Sequence, residues 1–292
     1  MKIALYSKTF SEKLSSFLPE LINILNKNNC EISFNDFLYE LTDKNSTLPS
    51  NYKIFDDRKT IEGVDVLLSI GGDGTLLDTI SIIGDSGIPV LGINLGRLGF
   101  ISSIPVDQTE KAIINLINKK YRINKRILIK ADTNKSTIDG GTNHALNEIA
   151  IQKKDSSSMI TIHTYVNNQF LNSYWADGLI ISTPTGSTAY SLSCGGPILT
   201  PDSQNFIITP IAPHNLAVRP IVLPDDNIIK MKISDGSAGF WISLDSRYYP
   251  GLPGDEITVR KADFTVNFIE LQYDCFFTAL RSKLLWGRDI RN

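Results

Sequence analysis

The sequence predicts an α/β domain followed by a domain built largely from β-strands. In the first hundred residues, short apolar runs alternate with stretches whose apolar residues recur at helical spacing. This alternation is typical of a parallel sheet with helices on its faces. The second domain is predicted to begin near residue 102, and after Tyr121 short strand-like runs follow one another between Gly, Asn, Asp and Pro. The 292 residues, 42% of them hydrophobic, are enough for two such cores.

In the first domain, predicted at residues 1–101, strands and helices follow each other in order. The predicted elements are strand 3–6, helix 10–25, strand 31–34, strand 64–70, helix 76–83 and strand 88–93, with a polar loop at 43–49.

The second domain is predicted at residues 102–270, and it begins with a helix around residues 112–117. Strand-like runs then follow at 127–131, 146–152, 159–166, 179–182, 205–210, 228–233, 240–244 and 257–260. Apolar residues return to helical spacing at 274–286. The segment 271–292 is therefore predicted to form a last helix that packs back on the first domain.

Composition excludes some classes of partner. The net charge is −2 and the isoelectric point is about 6.0, so nucleic acid and membrane surfaces are poor candidates. Cys30, Cys194 and Cys275 are odd in number and widely spaced, unlike a zinc site or a disulfide framework, which predicts a reducing cytoplasm. The first apolar run is broken by Ser7 and Lys8 and is too short for a signal peptide or a membrane span.

The most informative motif is Gly71-Gly72-Asp73-Gly74-Thr75, which follows an apolar run and opens a helical pattern. Glycines in such a turn let backbone N–H groups approach phosphates, and the helix N-terminus favours anions. A carboxylate beside phosphates needs a task, such as holding magnesium or accepting a proton from a hydroxyl. The motif therefore predicts phosphoryl transfer. The alternative is a tight turn in which Asp73 only caps the helix.

A second motif spans residues 177–190, where an apolar strand enters a turn with five hydroxyl residues and then a helix. Hydroxyls and N–H groups at a helix start can hold a nucleotide's phosphates or sugar without charge. The alternative is helix capping by Ser187 or Thr188, which accounts for one hydroxyl only.

Two further elements accompany these motifs. Asn147-Glu148 lies in an apolar strand and could bind the vicinal hydroxyls of a ribose, or Glu148 could be an exposed strand residue beside a bulge. The glycine-rich run 92–100 carries Arg97 and could face phosphates or link the domains. Arg97 and Arg247 are candidate charge partners for phosphates, with surface roles as the alternative. The histidines lack metal-ligand spacing, and the common phosphate-loop, dinucleotide and zinc motifs are absent from the sequence.

The turn at 71–75, the Asn147-Glu148 pair and the hydroxyl run at 177–190 follow one another along the chain in this order. In this the chain resembles the NAD kinases, which phosphorylate the adenosine-ribose 2′-hydroxyl of NAD to give NADP. The likeness continues through residues 191–197, 213–220, Gly254-Asp255 and the closing segment. The turn at 71–75 alone is shared with diacylglycerol, sphingosine and phosphofructokinase relatives. The hydroxyl run at 177–190 is much more specific to the NAD kinases.

The resemblance implies that Asp73 acts as the base for the acceptor hydroxyl, with Gly74 close to the substrate. It also implies a set of substrate-binding residues. Asn147 and Glu148 would bind the nicotinamide-side ribose, and Asp177 and Ala189 would lie near the carboxamide. The adenine would be surrounded by Thr188, Tyr190, Ser193 and Phe100, and Thr185 of the hydroxyl run also belongs to the set.

For the whole protein, the resemblance implies a Rossmann-like or flavodoxin-like α/β domain and a C-terminal β-sandwich, with the active site in the cleft between them. It implies ATP with a divalent metal, Mg, as the donor, inorganic polyphosphate as a donor in some members, and a homodimer or homotetramer. The alternatives are a lipid kinase of the diacylglycerol-kinase type and a non-catalytic dinucleotide-binding sensor. The sequence departs from the family pattern at Trp175, because many relatives carry a basic residue near this position. The difference concerns the contacts to phosphates and the preference for NAD or NADH.

Overall fold

The chain forms two compact units in the computed structural model. The structure describes residues 1–44, 52–56, 59–96, 99–101, 104–135, 138, 142–154, 158–234, 239–271 and 276–286. The N-terminal unit comprises residues 1–125 and 266–292, and the β unit comprises residues 126–265. These bounds differ from the predicted ones of 1–101, 102–270 and 271–292.

The N-terminal unit alternates strands and helices, as its sequence pattern predicts. Its elements up to residue 121 are β1 (Lys2–Tyr6), α1 (Glu12–Lys27), β2 (Glu31–Asn35), α2 (Asp36–Lys44), β3 (Tyr52–Phe55), β4 (Val66–Gly71), α3 (Asp73–Ile83), β5 (Val90–Asn94), β6 (Ile104–Pro105), a 3-10 turn (Val106–Gln108) and α4 (Thr109–Ile117).

The sheet of this unit is parallel, in the order β5-β4-β1-β2-β3, and β6 pairs with the end of β5. From β1 the chain adds β2 and β3 on one side, and later β4 and β5 on the other side. The strand order therefore reverses between β1 and β4. In open α/β sheets, ligands bind outside the carboxyl ends of the strands at such a reversal, and β4 ends there at Gly71.

Helix α4 explains why the N-terminal unit extends beyond residue 101. Its buried residues Ala112, Ile113 and Leu116 belong to the same core cluster as Leu14 and Leu21 of α1. The apolar face of α4 thus completes the core of the parallel sheet. The sequence predicted that the second domain begins near residue 102, but burial assigns this helix to the first unit.

The β unit is built from strands, with one short helix after the hydroxyl run. The elements in chain order are β7 (Arg122–Thr133), β8 (His144–Ala145), β9 (Glu148–Lys153), β10 (Ile160–Val166), β11 (Gln169–Ala176), β12 (Gly178–Ser182), a 3-10 turn (Thr185–Thr188), α5 (Tyr190–Ser193), β13 (Asn205–Ile211), β14 (Ile221–Pro224), β15 (Ile229–Ile233), β16 (Phe240–Leu244), β17 (Arg247–Gly251) and β18 (Glu256–Glu270). Strands β7 and β18 continue into the N-terminal unit, to which the last helix, α6 (Phe276–Leu284), also belongs.

Two antiparallel arrangements share one core in the β unit. One sheet has the order β14-β13-β12-β9-β16-β17, and the strands β11, β10, β15 and β18 pair successively in the other. Ile181 of β12 lies opposite Ile149 on one side and Ile208 on the other. The core cluster contains residues from both sheets, so the unit is a sandwich. This arrangement confirms the predicted fold class.

Some elements were not predicted from the sequence. Helix α2 and the strands β3, β6, β8, β11, β14 and β17 are short or carry many polar residues. Of the loop predicted at 43–49, the first two residues are the end of α2, and 45–49 lie outside the described residues, as do 274–275 of the last predicted helix. In the described part of the chain, no helix has the length and apolarity needed to cross a membrane.

Candidate active site

The glycine-rich turn lies at the carboxyl end of β4. Gly72 is the N-cap residue of α3, and Asp73 is the first residue of the helix. In the described residues no side chain caps α3, so the alternative role of Asp73 as a helix cap is wrong. A Cβ built on Gly71 would lie 2.3 Å from Thr75 Oγ1. The close approach of Thr75 therefore requires glycine at position 71.

The carboxylate of Asp73 accepts hydrogen bonds from a neighbouring segment of backbone. The N–H of Phe100 donates to Oδ2 at 2.8 Å, and the N–H of Ile101 donates to Oδ1 at 3.3 Å. A Cβ built on Gly99 would lie 1.8 Å from Asp73 Oδ1, so this contact requires glycine at position 99. The segment 99–101 thus orients the carboxylate, and Asp73 remains half-buried while Gly74 is exposed.

The last helix contacts the same segment, because Lys283 Nζ lies 4.8 Å from the centre of the Phe100 ring. An ammonium over an aromatic face is a favourable contact. It joins α6 to the backbone that orients Asp73. Arg97, the basic residue of the predicted loop, lies outside the described residues.

Charged groups also surround the carboxyl end of β1. Lys8 Nζ lies 3.2 Å from Asp78 Oδ2 on α3. Burial raises the pKa of Tyr6 to about 12, and the negative charge of Asp78 adds to the rise. In the described part of the chain, no three His, Cys, Asp or Glu side chains are grouped so that they could hold a metal ion.

In the β unit, the structure brings the Asn147-Glu148 pair and the hydroxyl run together. The N–H of Thr183 donates to the carbonyl of Asn147 at 2.9 Å, and Thr183 Oγ1 donates to the carbonyl of Leu146 at 2.5 Å. A Cβ built on Gly186 would lie 2.1 Å from the carbonyl oxygen of Asn147. Glycine at this position therefore lets the turn lie directly against the pair.

The five hydroxyls of the turn have different surroundings. Thr183 and Ser187 are fully buried, and Ser187 Oγ donates to the carbonyl of Pro184 at 2.7 Å and accepts from the N–H of Leu199 at 3.0 Å. These two hydroxyls stabilise the turn. The N-cap residue of α5 is Ala189, and among the described residues no side chain caps this helix. Capping by Ser187 or Thr188 is therefore also wrong.

The accessible side of this turn is formed by the residues that follow it. Thr188 and Ala189 are half-buried, and Tyr190 and Ser193 are exposed. Thr185 is buried, and its Oγ1 accepts a hydrogen bond from Arg126 Nη1 at 3.4 Å. The guanidinium of Arg126 thus places a positive charge next to the hydroxyl run.

Asn147 and Glu148 are both 8% exposed, so the alternative that Glu148 is an exposed strand residue is wrong. Within the described part of the chain, Asn147 Oδ1 and Glu148 Oε2 are buried without a hydrogen-bond partner. Buried polar atoms normally have a partner, so the two oxygens are suited to a ligand's hydroxyl groups. The backbone N–H of Tyr190 donates to the Glu148 carboxylate.

Burial and, to a smaller extent, the negative charge of Asp245 raise the pKa of Glu148 to about 8, although the Tyr190 N–H opposes the rise. Burial also raises the pKa of Asp245, but three backbone N–H donors and the charge of Arg247 act against it. At pH 7 the raised pKa favours the protonated form of Glu148.

Asp177 lies between β11 and β12, and its carboxylate is 2.6 Å from Lys153 Nζ. Trp175, two residues earlier, is 51% exposed, and its ring centre is 4.3 Å from that of His214. The N–H of His214 donates to the carbonyl of Trp175 at 2.9 Å. Trp175 therefore presents an exposed aromatic surface beside His214.

Sequence reasoning missed three residues that these contacts bring into the site, which are Arg126, Lys153 and Asp245. It included Gly99 in the glycine-rich run 92–100 but did not predict its contact with Asp73. For Asp245 a signal was present, because it directly follows the apolar run 240–244, much as Asp73 follows 64–70. Arg247, a candidate for ATP phosphates, donates instead to the carbonyls of Thr142 and His144.

The acidic glycine-rich turn at a strand-order reversal and the hydroxyl-rich turn of the β unit define a nucleotide-binding kinase of two units. Comparison with family models narrows the class. The ATP-NAD kinase N-terminal domain matches residues 6–121, and the ATP-NAD kinase C-terminal domain matches residues 146–271. The chain belongs to the NAD kinase family, as the motifs predicted.

Curated relatives that are named NAD kinase match this chain over its full length. The chain is 44% identical over 294 residues to the NAD kinase of Christiangramia forsetii, with 100% of both chains covered. It is 45% identical over 293 residues to the NAD kinase of Cytophaga hutchinsonii, again with 100% of both covered.

Two solved structures share the fold. Yeast NADH kinase complexed with NADH has a TM-score of 0.87 at 24% identity and covers 99% of this chain and 89% of its own. An NAD kinase from Archaeoglobus fulgidus in complex with ATP has a TM-score of 0.75 at 23% identity, with coverage of 98% and 99%. Because the sequence identities are only 24% and 23%, these two structures show that the fold is shared and nothing more.

Proposed function

We propose that this protein is an NAD kinase that transfers the γ-phosphate of ATP to the 2′-hydroxyl of the adenosine ribose of NAD, giving NADP. Asp73 is the general base that takes the proton from this hydroxyl as its oxygen attacks phosphorus. The observation that carries the proposal is the carboxylate of Asp73, oriented by the N–H groups of Phe100 and Ile101 at the end of β4.

The chemistry of this carboxylate fits the task. A ribose hydroxyl is a weak nucleophile, and a positioned carboxylate raises its reactivity by taking the proton in the transition state. The N–H groups of Phe100 and Ile101 hold this carboxylate in one orientation, as a general base requires. The turn has glycine on both sides of Asp73, which permits close approach of the substrate at Gly74.

The β unit supplies the contacts to the dinucleotide in this proposal. Asn147 and Glu148 hold the nicotinamide-side ribose, and their buried oxygens Oδ1 and Oε2 support this role. Vicinal hydroxyls can satisfy both oxygens at once, which is how a site rejects analogues without them.

The remaining contacts come from the hydroxyl run and the residue before β12. Asp177 and Ala189 lie near the carboxamide, with Asp177 oriented by Lys153. Thr188, Tyr190 and Ser193 contact the adenine, and the exposed ring of Tyr190 supports stacking. For Phe100 the proposed role beside the adenine rests on the family resemblance alone, and Thr185 supports the turn that carries Thr188, Tyr190 and Ser193.

We propose Mg as the divalent metal and that it enters with ATP, since Mg²⁺ in kinases is usually held by substrate phosphates and one or two carboxylates. When bound, it neutralises charge on the transferring phosphoryl group. We also propose a cytoplasmic location and a homodimer or homotetramer, which the family resemblance supports.

The test is NADP formation from NAD, ATP and magnesium, read by a coupled NADP-specific dehydrogenase, with Asp73→Asn in parallel. We expect product from the wild type and a loss of about 10²- to 10⁴-fold in the variant, with NAD still bound. Near-normal turnover by Asp73→Asn would show that Asp73 is not the base. NAD binding without product from the wild type would instead favour the sensor.

A further inference from the structure

The backbone of Leu146, Asn147 and Glu148 has an unusual pattern of hydrogen bonds. Strand residues alternate their N–H groups between two sides, but here three successive N–H groups turn to one acceptor. They donate to the carboxylate of Asp245 at 2.9, 2.8 and 3.2 Å respectively. Successive N–H groups that converge in this way form an anion-binding concavity, and the anion is a side chain of the same unit.

The position of Asp245 is itself constrained. It follows β16 in the turn to β17, and its φ of +52° lies in the left-handed region. Its own N–H donates to the carbonyl of Glu148 at 3.0 Å. The next residue but one, Arg247, donates to the carbonyls of Thr142 and His144. The β16–β17 turn therefore binds the chain on both sides of Asn147.

We propose that Asp245 is a positioning residue for ribose recognition, because its carboxylate fixes the backbone from which Asn147 and Glu148 present their side chains. This inference rests on the proposed function, in which these two side chains hold the nicotinamide-side ribose. It adds a residue that touches no substrate and acts only through the pair.

Two observations separate positioning from ordinary stabilisation. The bend held by Asp245 carries the buried oxygens Asn147 Oδ1 and Glu148 Oε2, which have no partner within the described residues. The opposite face of the bend is also held, since Thr183 donates to the carbonyls of Leu146 and Asn147. The backbone of the pair is therefore held by Asp245 and Thr183, and the two unpartnered oxygens are the groups left to bind a ligand.

The main variant is Asp245→Asn, because asparagine tolerates the left-handed backbone and keeps one acceptor oxygen while losing the charge and the second acceptor. A second variant, Asp245→Gly, keeps the backbone freedom and removes the side chain. The matched control is Asp132→Asn, which removes a carboxylate of β7 that pairs with Arg260 at 3.1 Å.

Binding of NAD and of AMP is measured by calorimetry for each variant, since AMP lacks the nicotinamide-side ribose. We expect Asp245→Asn to weaken NAD binding by about 10- to 100-fold, as small misplacements do, and to change AMP binding less than twofold. In steady-state assays the KM for NAD should rise while that for ATP stays constant. Asp132→Asn should leave all four quantities unchanged.

The inference would be overturned if Asp245→Asn and Asp245→Gly each lost as much affinity for AMP as for NAD, because equal losses would indicate general damage to the unit. Unchanged NAD affinity in both variants would overturn it as well. These results are distinct from failure of the proposed function, which would appear as a wild-type protein that forms no NADP.

Discussion

The backbone N–H of Phe100 donates to Asp73 Oδ2 at 2.8 Å across 27 positions of sequence. The hydrogen bond joins the turn after β4 to the segment after β5, and these strands are neighbours in the parallel sheet. The carboxylate is therefore oriented by the sheet and not only by its own turn. Gly99 makes this approach possible, because any larger residue would meet the Asp73 carboxyl group.

The first prediction concerns Gly99→Ala. The added Cβ would lie 1.8 Å from Asp73 Oδ1, so either the carboxylate or the segment must shift. We expect kcat to fall by about 10²-fold, as for a misplaced catalytic group, with a smaller change in KM for NAD. Steady-state kinetics measure both.

The control is Gly96→Ala in the same segment, whose Cβ would meet Asn94 Oδ1 at an ordinary 3.8 Å. Equal effects of the two variants on kcat would show that the Gly99 contact has no special role.

The second prediction concerns the pH dependence of stability. The pKa of Glu148 is about 8 in the folded protein against 4.5 for the free group. The folded state therefore binds the proton of Glu148 more tightly than the unfolded state does. The contribution of this proton to the free energy of unfolding is complete below pH 4.5 and is lost as the pH rises through 8. Glu148→Gln keeps a neutral group at every pH. We expect its Tm to exceed that of the wild type increasingly from pH 6 to pH 9, by about 2–4 °C per kcal/mol.

Thermal unfolding at a series of pH values measures this difference. If the wild type and Glu148→Gln lose stability in parallel over that range, Glu148 does not carry the raised pKa.

The third prediction concerns Gly186→Ala. The new Cβ would lie 2.1 Å from the carbonyl oxygen of Asn147, and both groups are backbone-fixed. We expect the free energy of unfolding to fall by about 1–3 kcal/mol, as for overpacked sites. Denaturant unfolding measures this loss. Retained stability would mean that the turn can move away from the Asn147-Glu148 strand at little cost.

The fourth prediction concerns the ion pair between Lys153 and Asp177. Their charged atoms are 2.6 Å apart, and both side chains are partly exposed, so the pair contributes less than about 1 kcal/mol. Lys153→Met should raise the KM for NAD by no more than about fivefold, because Asp177 loses its orienting partner. Lys154→Met, at the neighbouring lysine, is the control. A loss of kcat without a change in KM would contradict this role.

Much of the fold was predictable because local pattern and burial agree. The apolar spacing of α1 and the apolar runs of β1, β4 and β5 have periods that only one kind of element buries well. Helix α2 was missed because its sequence mixes polar residues with Phe37, Leu38 and Leu41. Helix α4 was predicted but assigned to the wrong side of the unit boundary, since only packing shows which core its apolar face completes.

The sequence by itself determined the fold class, the family, the acidic turn at residues 71–75 and the hydroxyl run at 177–190, because each is a contiguous pattern. Only the tertiary structure revealed that Gly99 approaches Asp73 and that Asp245 binds the backbone of residues 146–148. Asp245 lies 98 residues from Asn147 in sequence. Contacts of this kind depend on strand order and register, and these are set by long-range burial and backbone pairing, which local residue patterns do not encode.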